Sequence, residues 1–277
     1  MKIHFFKYHG TGNDFIMIDN RNHVLDNRMI TDEKIRQLCD RRFGIGADGL
    51  ILIDDKINTA NNQEIDFIMR YFNADGSEGA MCGNGGRCAV AFAYHINAIP
   101  NQALVTRFLA IDGLHEASIT KDDTNLIVRL KMIDLDRIDI YPDFFYLNTG
   151  APHYVRFIDN VDSFNVFDAG RKIRYSKDFQ PLGTNANFVE QVADGIKIRT
   201  YERGVEDETY ACGTGSVASS ICAKLLDKTP APDSCKVYVK GGILNVYFEQ
   251  VSEQKFRNIW LEGSATFVFA GEIEVEE

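Results

Sequence analysis
Short runs of β-branched and aromatic residues dominate the chain. KIHFFKY, DFIMID, LILI, DFIMRYF, LIVRLKM, HYVRFI, KIRTY, KVYVK, LNVYF and TFVFAGEIEV are each long enough for a strand, and several alternate apolar with polar positions. Few stretches have helical spacing. Thr31-Asp32-Glu33 caps a helix that runs through Ile35, Leu38 and Cys39. Two more follow the glycine-rich turns CGNG and CGTG, as RCAVAFAYHINAI and SVASSICAKLL. Both are apolar almost all round and rich in small residues, which predicts helices buried on every side.

The same pattern occurs twice. GTGNDFIMID (10–19) is answered by GAPHYVRFID (150–159), and FGIGADGLILI (43–53) by PLGTNANFVEQV (181–192). IMRYFNADGSEGAMCGNGG (68–86) aligns without a gap on IRTYERGVEDETYACGTGS (198–216), matching Tyr71 with Tyr201 and Cys82 with Cys212. AIDGLHEASI (110–119) is answered by VKGGILNVYF (239–248). Each match alone is weak, but four in one order indicate an internal duplication. The fold class expected is therefore α/β (α+β), with two pseudo-symmetric halves, each a curved, mainly antiparallel or mixed sheet wrapped around a central helix. The polar turn Lys121-Asp122-Asp123-Thr124 marks the expected divide: residues 1–122 form the half carrying Cys82 and 123–262 the half carrying Cys212. The last strand, 263–277, returns to the first half.

Composition narrows the function classes. A chain of 277 residues with a net charge of −10 and no clustered Lys/Arg run offers nothing to nucleic acid or an anionic membrane. The start MKIHFFKYHGTGNDF lacks a signal peptide's apolar core, and no stretch is apolar enough to span a bilayer. A cytoplasmic location is expected, where the six cysteines are free thiols and not a disulfide framework. Their spacings miss the C-x-x-C zinc patterns, so no metal is expected.

Cys82 and Cys212 stand apart from the other four because each precedes a glycine-rich helix start. The positive end of a helix favours a thiolate, and glycines let backbone N–H groups approach a carboxylate closely. If the repeat turns the two helix N-termini toward each other, the thiols face one another across a single cleft. One thiolate and one thiol on opposite sides of a carbon can invert it, removing a proton from one face and returning one to the other. Such chemistry needs no pyridoxal phosphate, and no nucleotide-binding glycine motif is present. Cys39, Cys88, Cys222 and Cys235 lack the helix-start glycines and read as small buried hydrophobes. Asp14, Asp75 and Asp112 read as turn residues, and Met17, Met69 and Met81 as core or cleft filling.

HGTGNDF (9–15), FGIGADGL (43–50), NADGSEGAMCGNGGRC (73–88), PHYV (152–155), TNANFVE (184–190) and YERGVEDETYACGTG (201–215) together closely resemble the diaminopimelate epimerases. Proline racemases and hydroxyproline epimerases also pair two cysteines, but with a CGHG turn where this chain has Asn84. The resemblance implies cofactor-free interconversion of LL- and meso-diaminopimelate, toward lysine and peptidoglycan, by a homodimer. It implies that Cys82 and Cys212 are the catalytic thiols, tuned by His153 and Glu202. Gly83, Asn84, Gly213 and Thr214 would bind the reacting carboxylate through backbone N–H groups, Asn13 and Glu202 the reacting ammonium, and Asn73, Asn185 and Arg203 the distal amino-acid end. Two positions depart from the family pattern: Ala151 replaces an asparagine found before the Pro-His pair in many members, and Gly49 a glutamine found in some. A binding protein that has lost catalysis is disfavoured because carboxylate binding does not require the thiols. An epimerase for a shorter amino acid would leave Arg203, Asn73 and Asn185 without a ligand.

Overall fold
The strand Lys2–Gly10 turns through Thr11 and Gly12, both at positive φ, into Asn13–Asp19, with which it pairs antiparallel. The computed structural model describes residues 1–25, 30–58, 64–100, 105–122 and 125–275. Asn13–Asp19 then pairs parallel with Gly49–Asp54, and a parallel neighbour demands a crossover. The helix α1 (Asp32–Cys39) lies in that crossover, its N-terminus capped by the Thr31 hydroxyl accepting from Lys34 N–H at 3.3 Å. Gly49–Asp54 pairs antiparallel with Phe67–Asn73, which pairs parallel with Thr106–Ala110 across a second crossover. That crossover contains α2 (Gly83–His95). Thr106–Ala110 folds back antiparallel on Gly113–Asp122.

The second half of the chain repeats this order. Phe145–Asn148 pairs antiparallel with Pro152–Phe157, which pairs parallel with Asn185–Val192 across α3 (Val166–Arg174). Asn185–Val192 pairs antiparallel with Gly195–Glu202, which pairs parallel with Ser234–Val239 across α4 (Gly213–Leu225). Ser234–Val239 folds back on Gly242–Ser252. Strand for strand, parallel and antiparallel pairings recur in the same sequence, as duplication requires.

The chain divides into two compact units, Met1–Leu130 with Ser264–Glu277, and Lys131–Gly263. The expected divide at residue 122 falls between two paired strands, whereas the units part at Leu130. Gly113–Asp122 and Asn125–Lys131 pair with Asn125 opposite Asp122, while Asp123 and Thr124 lie outside the described residues. The strand Lys255–Glu274 serves both units: its first part pairs with Gly242–Ser252, and residues from Thr266 onward pair with Lys2–Gly10.

Each unit has two kinds of helix. α1 and α3 are short and amphipathic, burying Ile35, Leu38 and Cys39 in one case and Val166 and Gly170 in the other. α3 is an addition to the helices expected from the sequence. α2 and α4 are buried from their first residues through most of their length, and each packs against several strands of its own unit. The strands of each unit therefore wrap around one central helix. No described helix is long and apolar enough to cross a membrane.

Phe92 of α2 is fully buried and meets the Phe6 and Tyr8 rings at centroid distances of 5.0 and 5.8 Å. Phe92→Ala is expected to lower folding stability by about 3–5 kcal/mol through lost burial and the cavity left behind. Urea denaturation measures this, and an unchanged midpoint would show that α2 is not the centre of its core.

Candidate active site
Cys82 and Cys212 are the N-cap residues of α2 and α4, both with extended backbone, φ −98° and −117°. A central helix wrapped by sheet has first-turn N–H groups with no intrahelical partner, so each cap stands where backbone donors are available. In the first unit Gly85 N–H donates to Cys82 Sγ at 3.2 Å. A side chain at Gly85 would crowd the sulfur, because a Cβ there would lie 3.1 Å from Cys82 Sγ and 3.3 Å from Ile51.

Side chains next to this cap form a continuous chain. Asn84 donates to Asn13 Oδ1 at 3.2 Å, and Asn13 Nδ2 donates to Asp48 Oδ2 at 2.7 Å. Arg41 bridges Asp48 and Asp14, with Nη2 at 2.7 Å from an oxygen of each, and the buried Lys7 ammonium reaches Asp14 at 2.7 Å and the Gly46 carbonyl. Burial pushes the Asp14 carboxyl up, but hydrogen bonds and charge from Arg41 and Lys7 outweigh it and hold the group well below the usual carboxylate range. Asp14 is thus a fixed anion within a charge network and not a proton carrier.

The second unit makes the corresponding contact with different chemistry. His153, which matches Asn13 in the repeat, lies with Nε2 2.9 Å from Thr214 Oγ1 and Nδ1 3.1 Å from Asn187 Nδ2. Asn187 Nδ2 also donates to the Tyr154 carbonyl at 2.9 Å, so this end of the amide is the donor and His153 Nδ1 accepts. The ring proton is thereby assigned to Nε2, which donates to Thr214. The Thr214 hydroxyl, 3.7 Å from Cys212 Sγ, is left with its own proton for the sulfur. Burial, reinforced by the charge of Arg203, lowers the His153 pKa to about 3 and keeps the ring neutral.

The residues expected at the distal end are tied to backbone and to each other. Asn185 donates to the Pro152 carbonyl at 3.1 Å and accepts from Arg203 N–H at 2.9 Å, which fixes the Glu202-Arg203 turn. Arg203 Nη1 donates to the Leu182 carbonyl at 3.3 Å, and Glu202 accepts from the Thr209 hydroxyl at 2.8 Å. In the first unit Tyr71 OH donates to Asn73 Oδ1 at 2.8 Å, while Asn73 Nδ2 donates to Ser77 Oγ at 3.1 Å. The Tyr71 ring also accounts for Gly49, where a Cβ would lie 2.7 Å from Cε2 and 2.6 Å from the Phe72 carbonyl. A longer side chain at 49 is excluded by this ring. Nothing in the structure explains Ala151.

Within the first unit Cys82, Gly83, Asn84 and Asn13 are contiguous, and within the second Cys212, Gly213, Thr214 and His153 are. Sequence patterns missed Asp48, Arg41, Lys7, Thr11, Arg87 and Asn187. Lys7 left one signal: it shares the inward phase of Ile3 and Phe5 in an alternating strand. Burial pushes the Cys39 thiol up to about 12 and Cys235 to about 11, and raises Cys88 and Cys222 as well. These four remain protonated structural thiols.

A sequence model described as diaminopimelate epimerase matches residues 5–133 and 145–268. A diaminopimelate epimerase from Flavobacterium psychrophilum is 49% identical over 265 residues, covering 95% of this chain and 97% of that protein. One from Chlorobaculum tepidum is 42% identical over 271 residues, covering 95% and 98%. Among solved structures, a phenazine biosynthesis protein of the PhzF family from Bacillus anthracis superposes with TM-score 0.76 at 14% identity, covering 99% of this chain and all 100% of that one. A hydroxyproline epimerase from Agrobacterium vitis superposes with TM-score 0.68 at 13% identity, covering 98% and 92%. At these identities the structures establish the shared fold of two pseudo-symmetric halves.

The neutral, buried His153 sets a pH dependence of stability. In the unfolded chain its pKa is near 6.5 and in the folded protein about 3, so between these values only the unfolded state takes up the proton. Its contribution is complete above pH 6.5 and is lost as pH falls toward 3. His153→Gln is expected to reduce the stability difference between pH 7 and pH 5 by about 2 kcal/mol. Urea denaturation of both proteins at the two pH values tests this, and equal differences would contradict a neutral buried ring.

Proposed function
Because this chain belongs to the diaminopimelate epimerase family, we propose that it interconverts LL-2,6- and meso-2,6-diaminopimelate, with Cys82 and Cys212 carrying the proton. The reaction is a step in lysine biosynthesis and, through meso-diaminopimelate, toward peptidoglycan precursors. The observation that carries the mechanism is a cysteine at the N-cap of each unit's central helix.

An α-proton next to an ammonium and a carboxylate is weakly acidic, so its removal needs a strong local base and stabilisation of the charge that develops on the carboxylate. One cysteine acts as thiolate and takes the proton. The other, as thiol, returns a proton to the opposite face, and the roles exchange with reaction direction. The backbone N–H groups of Gly83, Asn84, Gly213 and Thr214 bind the carboxylate, where charge increases in the transition state. Thr214, accepting from neutral His153, passes hydrogen-bond polarisation to Cys212, while Asn13 and Glu202 hold the reacting ammonium. Arg203, with Asn73 and Asn185, reads the distal amino-acid group, and an arginine fork suits its carboxylate.

No cofactor enters this scheme. A reducing cytoplasm suits six cysteines outside any disulfide, and a homodimer is the proposed assembly.

Purified protein without added cofactor is expected to exchange the α-hydrogen of diaminopimelate with solvent deuterium, followed by NMR. Exchange of proline or glutamate but not diaminopimelate would overturn the substrate assignment. Cys82→Ala and Cys212→Ala are each expected to abolish epimerisation, measured by chiral chromatography, while leaving circular dichroism unchanged. Near-normal turnover in either variant would exclude a two-cysteine mechanism.

A further inference from the structure
The helix α2 contains a charge that the chemistry above does not use. Arg87 is fully buried, in a segment whose next residues are Cys88, Ala89, Val90, Ala91 and Phe92. Its guanidinium folds back over the first turn of the helix. Nη1 donates to the Gly83 carbonyl at 3.0 Å, Nη2 to Asn84 Oδ1 at 3.0 Å and to Thr11 Oγ1 at 3.1 Å, and Nε to the Ser264 carbonyl at 3.5 Å. Each of these acceptors is neutral, and none of the ion pairs found among the described residues includes Arg87. A guanidinium keeps its charge at any accessible pH, so the first turn of α2 lies against a buried cation in a region of low dielectric.

The titratable groups around it leave one anion for this field to favour. Cys88, next in the helix, is held protonated by burial. On the strand Lys2–Gly10, the Tyr8 phenol is pushed up by burial and bonded to His95 at the far end of α2. Asp14, on Asn13–Asp19, is engaged by Lys7 and Arg41. Asp112 accepts from Met81 N–H and lies 3.2 Å from His115. Burial disfavours the Arg87 cation, whereas negative charge on Cys88 or Cys82 favours it. With Cys88 protonated, Cys82 is the thiol that can answer the cation. The matching position in α4 is Val217, also fully buried, so the duplication carries this cation in one copy only.

We propose that Arg87 is a positioning residue for Cys82: its buried guanidinium, bound to neutral acceptors, orients the Asn84 amide and Thr11 and holds the Cys82 sulfur as thiolate at neutral pH. This rests on Cys82 being a proton carrier and adds what keeps it ready to accept a proton. Arg87 touches no reacting atom and acts through the first turn of the helix.

The test is the pH profile of Cys82 alkylation by iodoacetamide in full-length Cys212→Ser protein, read by peptide mass spectrometry, which separates Cys82 from the four buried cysteines. The parent midpoint is expected below the 8.5 of a free thiol. Arg87→Met and Arg87→Gln are expected to raise it by about one pH unit or more, whereas Arg87→Lys keeps it near the parent value. A folded neutral variant with an unchanged midpoint overturns the proposal, as does Arg87→Lys shifting as far as the neutral variants. If neither neutral variant folds, Arg87→Lys decides alone, because it keeps the charge and loses the fork: a midpoint rising to that of a free thiol overturns the proposal, and one that stays supports it. The readout needs no turnover. Failure of diaminopimelate exchange in the unsubstituted protein is therefore a separate result.

Discussion
A helix enclosed by its own sheet has a problem at its first turn. Its initial N–H groups have no intrahelical acceptors, and burial denies most of them water. Each unit of this protein meets the constraint in the same way, with cysteine at the N-cap and glycines at the first and third helical positions. In the first unit the sulfur accepts from Gly85 N–H. The proposed anion binding and thiolate stabilisation would thus both answer one requirement, set by enclosing a helix that starts with glycine. The surrounding strands supply the enclosure, which makes the wrapped sheet a condition of the chemistry as well as its scaffold.

Duplication repeats the scaffold, and divergence then changes its electrostatics. Asn13 and His153 match in the repeat and each contacts the side chain two residues beyond its unit's cysteine, Asn84 or Thr214. The first is anchored by Asp48 and the cations beyond it, the second by the neutral amide of Asn187. Arg87 and Val217 differ more sharply, a buried cation against a buried hydrocarbon at one helical position. A reaction that removes a proton with one thiol and returns one with another requires the two in different protonation states. Sequence symmetry alone would give them the same one, so the difference has to come from substitutions of this kind.

Strands and caps were legible in the sequence because their signals are local. Alternation marked the strands, Thr31 marked the start of α1, and the glycine spacing after Cys82 and Cys212 marked the two central helices. α3 escaped because Gly170 weakens its helical signal. The reason for that glycine lies elsewhere in the chain, where Tyr201 packs so closely that a Cβ at 170 would meet its ring carbon Cγ at 2.6 Å. The expected divide differs from the observed one because a polar stretch reads the same whether it separates two units or lies between two paired strands. The supporting side chains of the site were illegible for a similar reason. Lys7 comes from the first strand and Arg41 and Asp48 from the loop after α1, and only strand pairing brings them beside Asn13.

Cysteine identity accounts for little of this. Cys82 caps the helix that contains Cys88, six positions on, and the two have opposite surroundings. Cys88 sits in the helix body, fully buried, where the backbone donors around it are engaged in the helix and desolvation pushes its thiol up. Cys82 sits at the end, half-exposed, with a backbone N–H directed at its sulfur and Arg87 folded over the turn that follows. Moving a thiol by less than two helical turns therefore takes it from the closed body of the helix to a cap lined with backbone donors, the setting that the proposed base requires. What the sequence must encode is where the helix begins, and in both units the glycines after the cysteine do so.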